Sequence, residues 1–273
     1  MTLTNNSELF SSVHEDAINN VAKHIMRQRP SLFNYGTAYI AARPELLCER
    51  IDFDPAVIQR GNPLITVEDP LPVLGTNGLV ALNFCFQLTK VEIDFYPGRG
   101  ITLPSELNPP LAQQKFSLHV RVCGGIGCPS DDIKDIIPPI EKQKDILREH
   151  EPVSTIVPYP RSMECFCLDL FAVGHVEVTG PIGNQKLSGK VDGIEIVDVK
   201  PEGLENSIEC YLNLLIQLVI LPKTSIALEN VVFGILDLAT ITLSPSPTST
   251  SISHNPAIED DRLKVFIDMV VTP

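Results

Sequence analysis

The stretch PEGLENSIECYLNLLIQLVILP, from Pro201 to Pro222, combines a helix start, an apolar face and a helix stop. Pro201 suits the first helical position, and Glu202 and Glu205 place negative charge at the positive end of the helix dipole. Pro222 ends the run. Apolar residues recur at helical spacing along its whole length: Leu204, Ile208, Tyr211, Leu212, Leu215, Leu218 and Val219. We therefore predict a long amphipathic helix, covered on its apolar side by a sheet or by a ligand.

A second long helix is predicted near the N-terminus. Ser12-Val13-His14-Glu15 has the pattern of a capping box. Apolar residues follow at a spacing of four until Pro30 ends the run: Val13, Ala17, Val21 and Ile25.

Several stretches of the remaining chain alternate with a period of two, which is typical of strands, and loops separate them. The longest such signal runs from Leu79 to Phe95, and five residues share one of its faces: Val80, Leu82, Phe84, Phe86 and Leu88. Beyond Thr89 the apolar residues change parity, which indicates a bulge or a strand that crosses the core. Further strands are predicted at Leu47 to Phe53, Phe116 to Val122, Cys165 to Val178, Lys186 to Val199 and Leu263 to Val271, with a glycine turn at 124–127.

This element order predicts one β-rich domain over residues 1–273, of the α+β class. A charged, proline-rich excursion is expected at 131–160 and a Ser/Pro/Thr loop at 244–256. The strands are expected to wrap as sheet around the two helices.

Composition narrows the range of partners. With 273 residues and 44% hydrophobic residues, the chain is long and apolar enough to build a substantial core. The formal net charge of -13 argues against nucleic acid, whose phosphates it would repel. No apolar run reaches the roughly 20 residues of a membrane span, and no secretory signal is evident, so a cytoplasmic location is expected.

The seven cysteines are an odd number, which together with the missing signal predicts reduced thiols. Cys48, Cys85 and Cys210 lie among apolar neighbours and suit a core. A second set has enough thiols to bind zinc: Cys123, Cys128, Cys165 and Cys167. Neither of its spacings is the usual two-residue knuckle, and ordinary strand and turn cysteines are the alternative. No metal and no cofactor are predicted.

Catalytic motifs do not stand out. The sequence has no Gly-x-Ser-x-Gly elbow, no His-Glu-x-x-His and no Gly-Lys-Ser phosphate loop. His119 and His175 lie in strand-like runs and, if they met across a sheet, would form a site with Asp169; a purely structural role is the alternative. The protein is predicted not to be an enzyme.

The run VDGIEIVDVKPEGLENSIECYLNLLIQLVILPKTSI, Val191 to Ile226, together with the order helix, strands, helix, resembles the tubular lipid-binding (TULIP) superfamily. The resemblance implies a fold class in which a long, strongly curved antiparallel sheet is wrapped around long amphipathic helices and leaves an apolar tunnel. The resemblance implies non-catalytic binding of a lipid or another hydrophobic molecule. One wall of the tunnel would be the Val80, Leu82, Phe84, Phe86 and Leu88 face, and the other Leu212, Leu215 and Val219. The alternative is a structural or assembly subunit that uses the fold as a scaffold for protein partners or for a homo-oligomer.

Overall fold

The computed structural model of the chain describes residues 7–72, 81–128, 155, 157, 159, 162–180, 186–197, 226–227, 242–247 and 253–272. The predicted helix from Pro201 to Pro222 lies outside these residues. So do most of the predicted excursion at 131–160 and residues 248–252 of the predicted Ser/Pro/Thr loop.

The described residues contain three α-helices: α1 (Glu15–Gln28), α2 (Ala38–Ala41) and α3 (Pro55–Gln59). Two acidic residues in its first turn and Arg27 in its last complement the dipole of α1. In α3, the Asp54 side chain accepts a hydrogen bond from the Ala56 N–H, and Pro55 occupies the first turn.

The predicted N-terminal helix is thus confirmed in α1, but it begins only at Glu15. Residues Leu9–His14 form a strand, so the predicted capping box is wrong. No residue of α1 is buried, and its predicted core stripe is exposed, with Val21 at 57% and Ile25 at 40%. Ile18 packs on the core instead.

Most of the described chain is β-strand. The strands are β1 (Leu9–His14), β2 (Asn34–Thr37), β3 (Thr66–Glu68), β4 (Leu71–Pro72), β5 (Ala81–Leu82), β6 (Phe84–Phe95), β7 (Phe116–Cys128), β8 (Ser162–Thr179), β9 (Lys186–Val197), β10 (Ile226–Ala227), β11 (Thr242–Pro247), β12 (Ala257–Glu259) and β13 (Arg262–Thr272). One sheet has seven strands in the order β10-β9-β8-β7-β6-β2-β3. A second has the order β1-β13-β11 with β12 also on β13, and β4 and β5 form a pair.

The predicted fold class, a strongly curved sheet wrapped around long helices, is wrong. The described sheets neither curl nor close, and the longest described helix has 14 residues. The apolar stripe of α1 had implied a helix enclosed by sheet. In the structure this stripe is exposed to solvent. Apolar residues of the strands form much of the buried core instead.

The chain divides into two compact units. Unit 1 comprises residues within 1–21, 91–120 and 169–273, and unit 2 those within 22–90 and 121–168. In unit 1, one core cluster is centred on Phe95, Phe116 and Ile258, and another on Leu187, Val265 and Ile267. In unit 2, Ile40, Val57 and Ile65 are buried together with polar side chains that are described below.

The strands predicted at Cys165 to Val178 and Lys186 to Val199 are confirmed as β8 and β9, which pair antiparallel from Asp169 opposite Val197 to Thr179 opposite Lys186. The predicted last strand is confirmed as β13. The first four residues of the predicted Ser/Pro/Thr loop are strand instead, because Thr242–Pro247 pair with β13 as an edge strand of the described sheet. Prolines are tolerated at a sheet edge, where a missing N–H need not break a ladder.

Two local predictions in unit 2 are wrong. Leu47 to Phe53 is not a strand, although its side chains alternate. Hydrogen bonds to a side chain hold the segment instead of a strand ladder. The Glu49 N–H, for example, donates to the Gln87 side chain at 2.9 Å. The predicted glycine turn at 124–127 is part of strand β7, which continues to Cys128.

Candidate functional site

An open apolar groove lies on the described surface of unit 2. Its volume is about 430 Å³, and we call it the aromatic groove. Its lining comes from β2, β3, β4, β6, β7 and β8: Tyr35, Glu68, Leu71, Phe84, Cys85, Phe86, Gly124, Gly125, Ile126 and Phe166. The volume lies within the range of ordinary ligand pockets, roughly 300–1,000 Å³.

Strand alternation places the aromatic rings of the groove. Phe84 and Phe86 are two residues apart on β6, so their side chains leave the same face of the sheet. The ring of Tyr35 lies beside that of Phe86, with 6.4 Å between the ring centroids. These rings form one side of the groove.

Gly124 makes room for Phe166 on the other side. A Cβ atom added at Gly124 would lie 2.8 Å from the tip of the Phe166 ring, which is closer than real contacts allow. Glycine inside a strand commonly marks such a close approach. The glycine cluster that was predicted as a turn therefore lets an aromatic ring lie across β7.

The apolar side chains of the groove remain unusually exposed. Phe166 is 51% exposed, Leu71 46% and Phe86 41%. Single exposed apolar residues are normal, but several around one concavity mark a binding surface. The charge on the lining comes from a single carboxylate, that of Glu68.

The structure brings together only part of the predicted site. Phe84 and Phe86 line the groove, whereas Leu82 pairs opposite Leu71 in the β4-β5 sheet. Leu88 lines a different pocket of unit 2, beside Phe33 and Met26. Four predicted residues lie outside the described chain: Val80, Leu212, Leu215 and Val219.

Tyr35, Ile126 and Phe166 were not predicted as site residues. One sequence feature pointed to Phe166, which lies between two cysteines in a strand-like run. The glycine-rich segment at 124–127 also stood out in the sequence. Pairing between strands decides which residue meets which glycine, and one sequence does not contain that register.

The face of β6 predicted to be buried is the more exposed one. In its unit 2 half, Cys85 and Gln87 are buried, while Phe86 is exposed. The Gln87 amide donates to Asn34 at 3.0 Å and to the Glu49 carbonyl at 2.8 Å, so its burial is compensated.

The prediction of reduced thiols throughout is also wrong. Cys48 is bonded to Cys165, and Cys123 to Cys167. Among the described side chains, Cys85 is the free cysteine, and its burial raises the pKa of its thiol. Disulfides are rare in reducing compartments, so the two bonds do not support the expected cytoplasmic location.

A zinc site at the second cysteine set, to which ordinary strand and turn cysteines were the alternative, does not fit this pairing. Three members of the proposed set are in disulfides, and the side chain of Cys128 lies outside the description. Glu49 does bring a carboxylate oxygen within 4.8 Å of the sulfurs of Cys123 and Cys167. Because those sulfurs are bonded to each other, they offer no thiolate to a metal.

The two histidines that the sequence singled out, His119 and His175, each pair with a carboxylate. His119 lies 2.9 Å from Asp169, as the sequence suggested, and its ring stacks on Phe171 with centroids 4.4 Å apart. His175 instead contacts Asp192, at 2.9 Å. The single site with two histidines is therefore replaced by two separate pairs.

Asp192 also accepts a hydrogen bond from the Lys115 amine at 2.6 Å. Burial by itself would raise the pKa of Asp192, but the hydrogen bonds from Lys115 and His175 lower it below the usual value. Asp192 is thus held as an anion between two donors, which suits a structural ion-pair network.

A scan against protein-family models and a search of curated proteins each found no match for this chain. No helix within the described ranges is long and apolar enough to cross a bilayer.

Proposed function

We propose that this protein binds an apolar ligand, such as a lipid chain, in the aromatic groove and performs no chemistry on it. The observation that carries the proposal is the groove itself: about 430 Å³, lined by aromatic and aliphatic side chains that are still substantially exposed. An apolar ligand would remove those surfaces from water.

The proposal places the ligand in an open groove and not in the tunnel that the family resemblance implied. A chain lying in it contacts protein on one side only, so the free energy per methylene is below the roughly 0.8 kcal/mol of full burial. Binding is therefore expected to be moderate and to depend on ligand length.

The charge of the site selects among apolar ligands. Glu68 lines the groove, and the whole chain carries a formal net charge of -13. A negatively charged headgroup is repelled by both, so a neutral ligand such as a fatty alcohol is favoured over a fatty-acid anion of the same length.

The test is a displacement titration of bound Nile red with octan-1-ol, decan-1-ol and dodecan-1-ol. Each step of two methylenes should tighten binding by about four- to fifteen-fold, where half and full burial set the two ends. The chain has no tryptophan, which keeps its intrinsic fluorescence low.

Two isoleucines provide a matched pair of variants. Ile126 lines the groove, whereas Ile58 on α3 is 57% exposed and does not line it. Ile126→Ser should weaken alcohol binding, and Ile58→Ser should leave it unchanged. Equal effects of both variants, or no dependence on chain length, would contradict the proposal and favour a scaffold for protein partners.

A further inference from the structure

Three sulfur atoms of unit 2 lie in contact, although only two of them are bonded. Cys48 Sγ is bonded to Cys165 Sγ, and Cys85 Sγ lies 3.7 Å from Cys48 Sγ. Cys85 is 3% exposed, while Cys165 is an exposed residue of β8. A buried free thiol therefore touches a disulfide whose other end is exposed.

Gly125 fixes where the three sulfurs converge. A Cβ atom added at this strand glycine would lie 2.7 Å from Cys48 Sγ and 3.2 Å from the sulfur atoms of both Cys85 and Cys165. The three sulfur atoms thus border one small space, which the side chain of any other residue at 125 would fill. The position of Gly125 is a second observation, separate from the 3.7 Å distance between the sulfur atoms of Cys48 and Cys85.

The segment that carries Cys48 is held in place on both sides. Cys48 Sγ lies 3.3 Å from the Gly124 carbonyl oxygen. The next residue, Glu49, exchanges two backbone hydrogen bonds with the buried Gln87 side chain. Cys48 is therefore positioned against Cys85 by contacts that do not depend on the disulfide.

The other disulfide has a different neighbour. A carboxylate oxygen of Glu49 lies within 4.8 Å of the sulfur atoms of Cys123 and Cys167. A carboxylate does not attack a disulfide in water. This bond serves as an internal control for any reaction of the first one.

We propose that Cys48, Cys85 and Cys165 form a thiol–disulfide exchange site that moves the free thiol from the interior to the surface. The Cys85 thiolate attacks Cys48 Sγ, a Cys48–Cys85 bond forms, and the Cys48–Cys165 bond breaks. The electron pair leaves on the Cys165 sulfur, which takes up the proton that Cys85 lost. The exchange is an isomerisation and needs no oxidant or reductant.

The exchanged form has an exposed thiol at Cys165, which is a site of modification. With a low-molecular-weight disulfide such as oxidised glutathione, Cys165 forms a mixed disulfide and releases one equivalent of the small thiol. Burial raises the pKa of Cys85, so its thiolate is scarce and the exchange is slow, on the scale of minutes to hours.

The test is alkylation of the native, unreduced protein with N-ethylmaleimide, followed by digestion without reduction and peptide mapping. Exchange predicts label on Cys165 that grows with time, together with a peptide pair linked through Cys48 and Cys85. Cys85→Ser, which retains the Cys48–Cys165 bond, should remove the label from Cys165. The Cys123–Cys167 link should stay closed throughout.

A second variant gives an independent readout. Cys48→Ser leaves two cysteines at Gly125, and oxidation by air should then bond Cys85 to Cys165. The proposal is overturned if native Cys165 stays unlabelled after prolonged incubation, if Cys85→Ser leaves its labelling unchanged, or if Cys85 and Cys165 of the Cys48→Ser variant both stay open to alkylation after incubation in air.

Discussion

Replacing Gln87 by leucine should destabilise unit 2 without changing its shape greatly. Gln87 is 1% exposed and makes three hydrogen bonds: to Asn34 Oδ1, to the Glu49 carbonyl and from the Glu49 N–H. Leucine has a similar size but can form none of them. Asn34 is 6% exposed, so its oxygen would be left buried without this partner, at a cost of about 1–3 kcal/mol.

The two bonds to Glu49 add to this cost. Glu49 is exposed and its backbone can turn to water, so each lost bond is expected to cost only about 0.5–1.5 kcal/mol. The additional apolar burial of leucine offsets part of the sum, and we expect a net loss of about 2–4 kcal/mol. Urea unfolding of the wild type and variant measures it.

Gln28→Leu is the matched control. Gln28 is half-buried and makes its side-chain bond to Asp54 at 3.0 Å, so its replacement should cost less than about 1 kcal/mol. A Gln87→Leu variant as stable as Gln28→Leu would refute the reasoning. Coupling is a further check: Asn34→Ala combined with Gln87→Leu should cost less than the sum of the single changes.

Two further predictions concern unit 1. Burial, and after it the nearby Asp94 carboxylate, raises the pKa of Glu15 above 4.5 in the folded state. The protonated Glu15 side chain therefore contributes stability below pH 4.5, and this contribution is lost as the pH rises through the folded-state pKa. Glu15→Gln should therefore melt higher than wild type at pH 7 but not at pH 4, and a lower melting temperature at pH 7 would contradict this. Gly174→Ala should destabilise by about 1–3 kcal/mol, because the new Cβ collides with the Lys190 backbone oxygen across a bulged register. Gly193→Ala, whose Cβ meets only the end of a leucine side chain, should cost less, and equal losses in urea unfolding would count against the collision.

The strands were predictable because alternation depends on local residues alone. The β8-β9 hairpin and β13 agree with their patterns, and the change of parity after Thr89 falls where β6 passes from unit 2 to unit 1, between Lys90 and Val91. The change was predicted as a bulge or as a strand that crosses the core, and β6 runs as one strand from Phe84 to Phe95.

The groove and the buried face of β6 were not predictable in this way. Alternation assumes that apolar residues point inward, but Gln87 is buried because three hydrogen bonds satisfy its amide. Cys85 is buried among sulfur atoms of residues 37 and 80 positions away in the chain. Such partners are set by pairing between distant segments, which a single sequence does not reveal.

The groove is tested most directly by locating a bound ligand on the protein. A dodecan-1-ol derivative with a photoreactive diazirine on its chain would be irradiated with the wild type and the two isoleucine variants, and the adducts mapped by mass spectrometry. Binding in the aromatic groove predicts adducts on Phe86, Ile126 or Phe166, reduced by Ile126→Ser and unchanged by Ile58→Ser. Adducts spread over the surface, or located away from these strands, would contradict the proposed site.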